Sequence, residues 1–206
     1  MMINDELLAL INHLIDQKQF QEQNSFEIHM EDITAKLKDE GALILGSEIQ
    51  KYKHINKLVL QIQNNHVSEK GINFLIKGLS QFTHLNHFSL NLRGNFIWQN
   101  GAQSLSQYIQ SLLQVKYLEI NLENNSIQNS GLEDLSAAIS QCSRLNTLIL
   151  NLKGNSVTNY ISIINQIKKL KYLHFLKVLL NININLDQKS KQTLQKSIRM
   201  TMFKII

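Results

Sequence analysis

The chain repeats itself at intervals of thirty residues, and this spacing limits what it can fold into more than any other feature. The segments INKLVLQIQNNHVSEKGINFLIKGLSQFTH (55–84), LNHFSLNLRGNFIWQNGAQSLSQYIQSLLQ (85–114) and VKYLEINLENNSIQNSGLEDLSAAISQCSR (115–144) align without a gap. A fourth row begins LNTLILNLKGNSVTNY (145–160), and a fifth start, FLKVLLNININ, falls at 175–185. The preceding segment, 25–54, aligns as a degenerate row with Ala35 in a slot that holds Asn elsewhere. A unit this small cannot bury its own apolar face, but copies stacked side by side share one core.

Each row opens on an apolar residue: Ile55, Leu85, Val115, Leu145 and Phe175. Further apolar side chains follow three, five and seven residues on. They are Leu58, Leu60, Ile62; Phe88, Leu90, Leu92; Leu118, Ile120, Leu122; Leu148, Leu150, Leu152; and Val178, Leu180, Ile182. Alternation of this kind predicts a strand with one buried face. Gly71, Gly101 and Gly131, with Gly41 one period earlier, then mark a turn. Beyond it the spacing becomes helical: Ile72, Leu75, Leu79, Phe82; Ala102, Leu105, Ile109, Leu112; Leu132, Leu135, Ile139, Cys142. Steps of three, four and three residues put each set on one helix face.

Between strand and helix runs a column of Asn65, Asn95, Asn125, Asn155 and Asn185. An Asn amide offers two donors and an acceptor, so it can satisfy backbone groups left unpaired where a strand ends. Filed one above another, these amides would tie neighbouring bends together as a structural ladder. The residue before each of the first four is Asn64, Gly94, Asn124 or Gly154, the two residue types that best tolerate positive φ. A sharp bend is expected there.

Composition narrows the function class. The chain has no proline and one cysteine, Cys142, which excludes Pro-rich linkers and a disulfide framework and fits a reducing compartment. Asp5 and Glu6 stand where a signal peptide would be basic, and no apolar run reaches the roughly 18 residues of a bilayer span. A soluble, intracellular, cytoplasmic protein without a membrane partner is expected. The net charge of +5 hides a gradient. Residues 1–50 carry three Lys and ten acids, 51–167 carry nine Lys or Arg and five acids, and 168–206 carry nine and one. The basic segment 168–206 is a candidate for an acidic protein face or a polyanion.

The phrases LNHFSLNLRGNFI, VKYLEINLENNSI and LNTLILNLKGNSV resemble leucine-rich repeats, and GLEDLSAAISQCSRL is similar to the helical half of ribonuclease-inhibitor-like repeats. The longer LxxLxLxLxxN pattern is similar to the long repeats expanded in ciliate protozoa. The resemblance implies an α/β solenoid curved as a horseshoe, with parallel strands on the concave face, helices on the convex face and helical caps at both ends. It implies a single domain over 1–206: a helical cap at 1–25, five to six repeats over 26–186, and a helical cap at 187–206 containing Leu194, Ile198 and Met202. The fourth row departs from the pattern, with Ile161 in place of the turn glycine and a helix shifted by one residue to Ile164 and Ile167.

No cofactor or metal is expected, and no enzyme activity. There is no Walker loop, GxSxG, HExxH or CxxC. His84 and His87 form an HxxH without a partner acid or thiol, and His54, His84, Gln114, Arg144 and His174 share a column just before the strands. The resemblance implies a scaffold that binds protein partners within a larger assembly. Its alternatives are a GTPase-regulatory module like the Ran GTPase-activating proteins, or a ribonucleoprotein or microtubule-associated subunit using its basic end. The candidate surface is the strand face: Gln61, Gln63, Ser89, Asn91, Arg93, Glu119, Asn121, Glu123, Asn151 and Lys153, with Leu179, Asn181 and Asn183 in the fifth row. Its mixed charge argues against a nucleic-acid groove. On the adjoining rim, Phe96 and Trp98 replace the polar residues of the other bends and are candidate anchors.

Overall fold

The computed structural model describes residues 5–18, 24–30, 36–52, 54–180 and 202–205. Helix α1 (Asp5–Lys18) precedes strand β1 (Ser25–His29), and the chain then alternates helix and strand. The order is α2 (Lys38–Ile49), β2 (Lys57–Gln61), α3 (Glu69–Leu79), β3 (His87–Asn91), α4 (Trp98–Ser111), β4 (Tyr117–Asn121), α5 (Gln128–Gln141), β5 (Thr147–Asn151), α6 (Ile161–Ile167), β6 (Phe175–Leu179) and β7 (Met202–Ile205). All seven strands lie in one sheet in chain order, each parallel to the next. The sheet is open, and the architecture is an α/β solenoid in which parallel strands alternate with helices.

The apolar columns explain the layering. Leu58, Leu60, Ile62 and their equivalents through Leu148, Leu150 and Leu152 are fully buried. They meet the helix sets Ile72, Leu75, Leu79; Ala102, Leu105, Ile109; and Leu132, Leu135, Ile139, also buried. One continuous hydrophobic core runs from Leu7 to Leu180. Removing such side chains from water contributes about 25 cal/mol per Å² of apolar surface, and each row obtains that shelter mainly from its neighbours.

Pairing follows the thirty-residue period in the centre: Lys57 faces His87, His87 faces Tyr117, and Tyr117 faces Thr147. The ends depart from it. Ser25 faces Lys57, a step of 32, so Phe26 and Ile28 meet Leu58 and Leu60. Thr147 faces Phe175, a step of 28, and Phe175 faces Met202. The fifth row is therefore corrected by two residues. Its inward strand positions are Leu176, Val178 and Leu180, all buried, and Leu173, not Phe175, fills the opening slot. Helix α6 slips by two rather than one, since the Leu170 N–H bonds the Ile167 carbonyl as the Cys142 N–H bonds that of Ile139. His174 consequently stands beyond the column of His84 and Arg144, its N–H on the Asn146 carbonyl as that of Asn146 is on Lys116. The carboxyl-terminal helical cap is corrected where the structure describes it: Met202–Ile205 is a strand, while 187–201 lies outside the described residues.

At each central bend the backbone turns through the left-handed region: φ is +55° at Asn64, +66° at Gly94, +56° at Asn124 and +69° at Gly154. The N–H groups of Asn64, Gly94 and Asn124 bond the carbonyls of Arg93, Glu123 and Lys153 in the following row. The adjoining Asn side chains are buried. Asn95 Oδ1 accepts from the N–H groups of Asn65 and Val67 at 3.1 and 2.9 Å, and its Nδ2 donates to the carbonyls of Ile62 and Leu92 at 3.0 and 2.8 Å. Asn155 repeats this two periods on with Asn125, Ile127, Leu122 and Leu152. Asn65 and Asn125 take the N–H groups of Leu37 and Ile97. Asn185 lies outside the described residues, as do Asn181 and Asn183.

Candidate functional site

Side chains that alternate with the buried positions form three rows across the open face of the sheet. The third row reads His29, Gln61, Asn91, Asn121, Asn151, Leu179, and the middle row Glu27, Val59, Ser89, Glu119, Ile149, Lys177. The fifth-row shift puts Leu179 opposite Asn151, where Asn181 was expected to extend the amides. Gln63, Arg93, Glu123 and Lys153 sit in the turns just past the strands. The first row, Ser25, Lys57, His87, Tyr117, Thr147, Phe175, was missed by sequence reasoning. Its signal was present: the same period-2 alternation continued one step towards the strand start.

The first row holds the densest chemistry of this face. The rings of His87 and Tyr117 stack with centroids 4.0 Å apart and planes 3° from parallel. The Tyr117 hydroxyl donates to Glu119 Oε2 at 2.8 Å, and Ser89 Oγ donates to the same oxygen at 3.3 Å. Burial, and then the hydrogen bond to the Glu119 carboxylate, push the Tyr117 phenol above its ordinary range. Burial, followed by the charge of Lys57, holds the His87 imidazole below its ordinary range, which keeps it neutral at pH 7. Lys57 pairs with Glu27 at 2.5 Å.

The amides along the third row serve mainly their own chain. Asn91, Asn121 and Asn151 each accept the N–H two residues on, from Arg93, Glu123 and Lys153, at 3.1, 3.1 and 3.2 Å. Their Nδ2 groups reach sideways, Asn91 to Gln61 Oε1 at 2.9 Å and Asn151 to Glu123 Oε2 at 2.9 Å. Glu123 also lies 3.6 Å from Arg93. These side chains fix the ends of the strands and present a hydrated polar face with mixed charge.

The rim where strands give way to helices is different. Phe96 and Trp98 are 47% and 49% exposed, while Ile97 between them is fully buried. The buried Ile97 draws the chain inward and leaves its two aromatic neighbours outward. The Phe96 ring lies 5.8 Å from that of His66, and its N–H bonds the Val67 carbonyl. Trp98 has φ +46°, held there by its N–H on the Asn125 carbonyl at 3.0 Å. A left-handed backbone costs a bulky residue about 1 to 2 kcal/mol. Lys38 and Gln128, at equivalent positions, share it with φ +51° and +56°.

A second column along this rim was also missed. Asp39, Glu69, Gln99 and Asn129, in the first helical turns, accept hydrogen bonds from the next row. Asp39 takes the Ser68 N–H and hydroxyl at 2.8 and 2.6 Å, and Glu69 takes the Asn100 N–H and amide, each at 3.1 Å. Its sequence signal is four successive rows with a carboxylate or amide at one slot. These residues join helix starts and are structural.

No group of three or more His, Cys, Asp or Glu is placed to hold a metal among the described residues. His84 is exposed and His87 half-buried in its stack. No helix among the described residues is long and apolar enough to cross a membrane. Cys142 is buried, and burial pushes its thiol up to about 12. No protein-family model and no curated protein matches this chain. Among solved structures the chain is similar to the C-terminal domain of tropomodulin from Caenorhabditis elegans, with 16% identity, a TM-score of 0.48, and coverage of 94% of this chain and 92% of that one.

Proposed function

We propose that this chain is a non-enzymatic scaffold that binds a protein partner through the strand-to-helix rim, with Phe96 and Trp98 as anchors and the polar face of Gln61, Asn91, Asn121 and Asn151 as its flank. One observation carries the reading: two large aromatics stand half-exposed on a bend whose counterparts are His66, Ser126 and Ser156, and Ser68, Gln128 and Thr158. Trp98 is also held at a backbone angle that a smaller polar residue would tolerate better. An exposed aromatic pair that can bury a large surface against a partner supports a role in recognition. Full α-helices in the central crossovers support placing the repeats in the ribonuclease-inhibitor-like class.

Trp98 is the only tryptophan of the chain, so intrinsic fluorescence reads this site directly. Partners captured from native cells and identified by mass spectrometry are purified and titrated in. Binding at the rim shifts Trp98 emission to the blue, and Phe96→Ala with Trp98→Ala weakens affinity about a thousandfold, as expected of two anchors worth about 2 kcal/mol each. Unchanged emission on saturation, or unchanged affinity in a folded double variant, overturns the assignment.

A further inference from the structure

Charge is unevenly distributed along the sequence. The first 50 residues hold ten acids against three Lys, and residues 168–206 hold nine Lys or Arg against one acid. The sheet runs in strict chain order, so the described acids of α1 and α2 and the described lysines after α6 lie towards opposite ends of it. Six interstrand steps from β1 to β7 separate the ends by about 29 Å at roughly 4.8 Å per strand.

Among the described residues a lysine cluster lies in the loop between α6 and β6. Lys168 caps α6 with its N–H on the Gln166 carbonyl, and Lys169 bonds the same carbonyl at 3.0 Å. Lys168, Lys169, Lys171 and the ring of Tyr172 are all exposed, Tyr172 at 60%. The negative end of α6 favours cations at this place but leaves their outer sides open. Towards the other end of the sheet, Asp5 and Glu6 in the first turn of α1 and Glu40 in that of α2 are exposed. Asp39, Glu27 and Glu48, by contrast, are engaged within the chain by Ser68, Lys57 and Lys51.

We propose that this chain associates head-to-tail with copies of itself, the lysine loop 168–171 of one copy meeting the acidic α1 and α2 end of the next. Such a contact is heterologous, joining two different patches, so it propagates into rings or filaments rather than closing as a symmetric dimer. It uses neither Phe96 nor Trp98 and leaves the rim free for a partner.

Sedimentation velocity on the whole chain tests it. At about 0.03 M salt the wild type shows a concentration-dependent rise in sedimentation coefficient, and about 1 M salt, where the screening length is near 3 Å, weakens association at least about tenfold. Lys168→Glu, Lys169→Glu and Lys171→Glu together make the protein monomeric, as do Asp5→Lys, Glu6→Lys and Glu40→Lys together. Both variants retain the wild-type circular dichroism spectrum, and mixing them restores association. A wild type that stays monomeric at low salt, association indifferent to salt, or a lysine-loop variant that assembles like wild type each overturns the proposal. Retention on a heparin column by a monomeric wild type does so too, and assigns the lysines to a polyanion.

Discussion

The central rows and the terminal rows solve one problem with different tolerance. From β2 to β5 every step is thirty residues, whereas β1 to β2 takes 32 and β5 to β6 takes 28. Both irregularities fall between strand and helix. Gly41 and Gly71, expected at a turn, lie instead inside the first turns of α2 and α3, and they remain thirty apart although the strands before them do not, which puts two extra residues between β1 and α2. In the fourth row Val157 still occupies the slot of Ile127, both buried, and the two missing residues fall between it and α6. Strand pairing and helix packing are held by buried side chains, so length changes collect in the crossover, where loop closure costs little. α6 shows the effect, since it has seven residues against fourteen in α4 and α5.

A central row is sandwiched by two neighbours of matching shape, and an end row is not, so equivalent substitutions should differ in cost. The largest contrast is expected between Leu118→Ala and Leu176→Ala, which replace the same residue at equivalent inward positions of β4 and β6. Urea unfolding should show a loss of about 3 to 4 kcal/mol for the first and about 1 to 2 for the second. Equal losses would mean that the end rows are packed as firmly as the centre.

Asn125→Ala probes the bends. It deletes the acceptor for the Ile97 N–H and the donor to the carbonyls of Leu92 and Glu123, leaving buried groups unpaired. A loss of about 2 to 3 kcal/mol is expected in the same unfolding assay. A cost under about 0.5 kcal/mol would place the weight of the bends on backbone pairing alone.

Trp98→Asn separates strain from packing. The left-handed backbone suits Asn better than Trp, so stability should hold or rise by up to about 1 kcal/mol while the fluorescent anchor disappears. A marked loss in thermal unfolding would show that the indole supports the bend of its own row.

The smallest effect is kinetic. Cys142 is buried in the centre with its thiol pushed up to about 12, so it should resist a thiol reagent at pH 8 in the folded protein and react at once in denaturant. A cysteine introduced as Leu170→Cys, at the equivalent position of the short fourth row, should be labelled faster than Cys142. Similar rates would erase the contrast between centre and end.

Much of this fold is legible in the residues because repetition averages out local ambiguity. Leu58, Phe88, Leu118 and Leu148 each give a weak strand signal, but four in register leave one reading. Gly94 and Gly154 sharpen it, because in the other two central rows their slot holds Asn. The candidate surface is less legible. Phe96 and Trp98 announced themselves as exceptions to a column, whereas His87 and Tyr117 varied with their neighbours and offered no exception to notice. The stack between them depends on a side-by-side placement thirty residues apart.

The sequence by itself determined the period, the inward columns, the Asn slots and the charge gradient, because each is a property of residue order or of local backbone preference. Tertiary structure alone decided the steps of 32 and 28, the strand at Met202–Ile205 and the polar links from Asp39 through Asn129. Those features depend on which neighbour a row meets. A row that loses or gains two residues looks locally unchanged, and only the burial shared across the sheet selects the alignment that keeps every apolar slot inside.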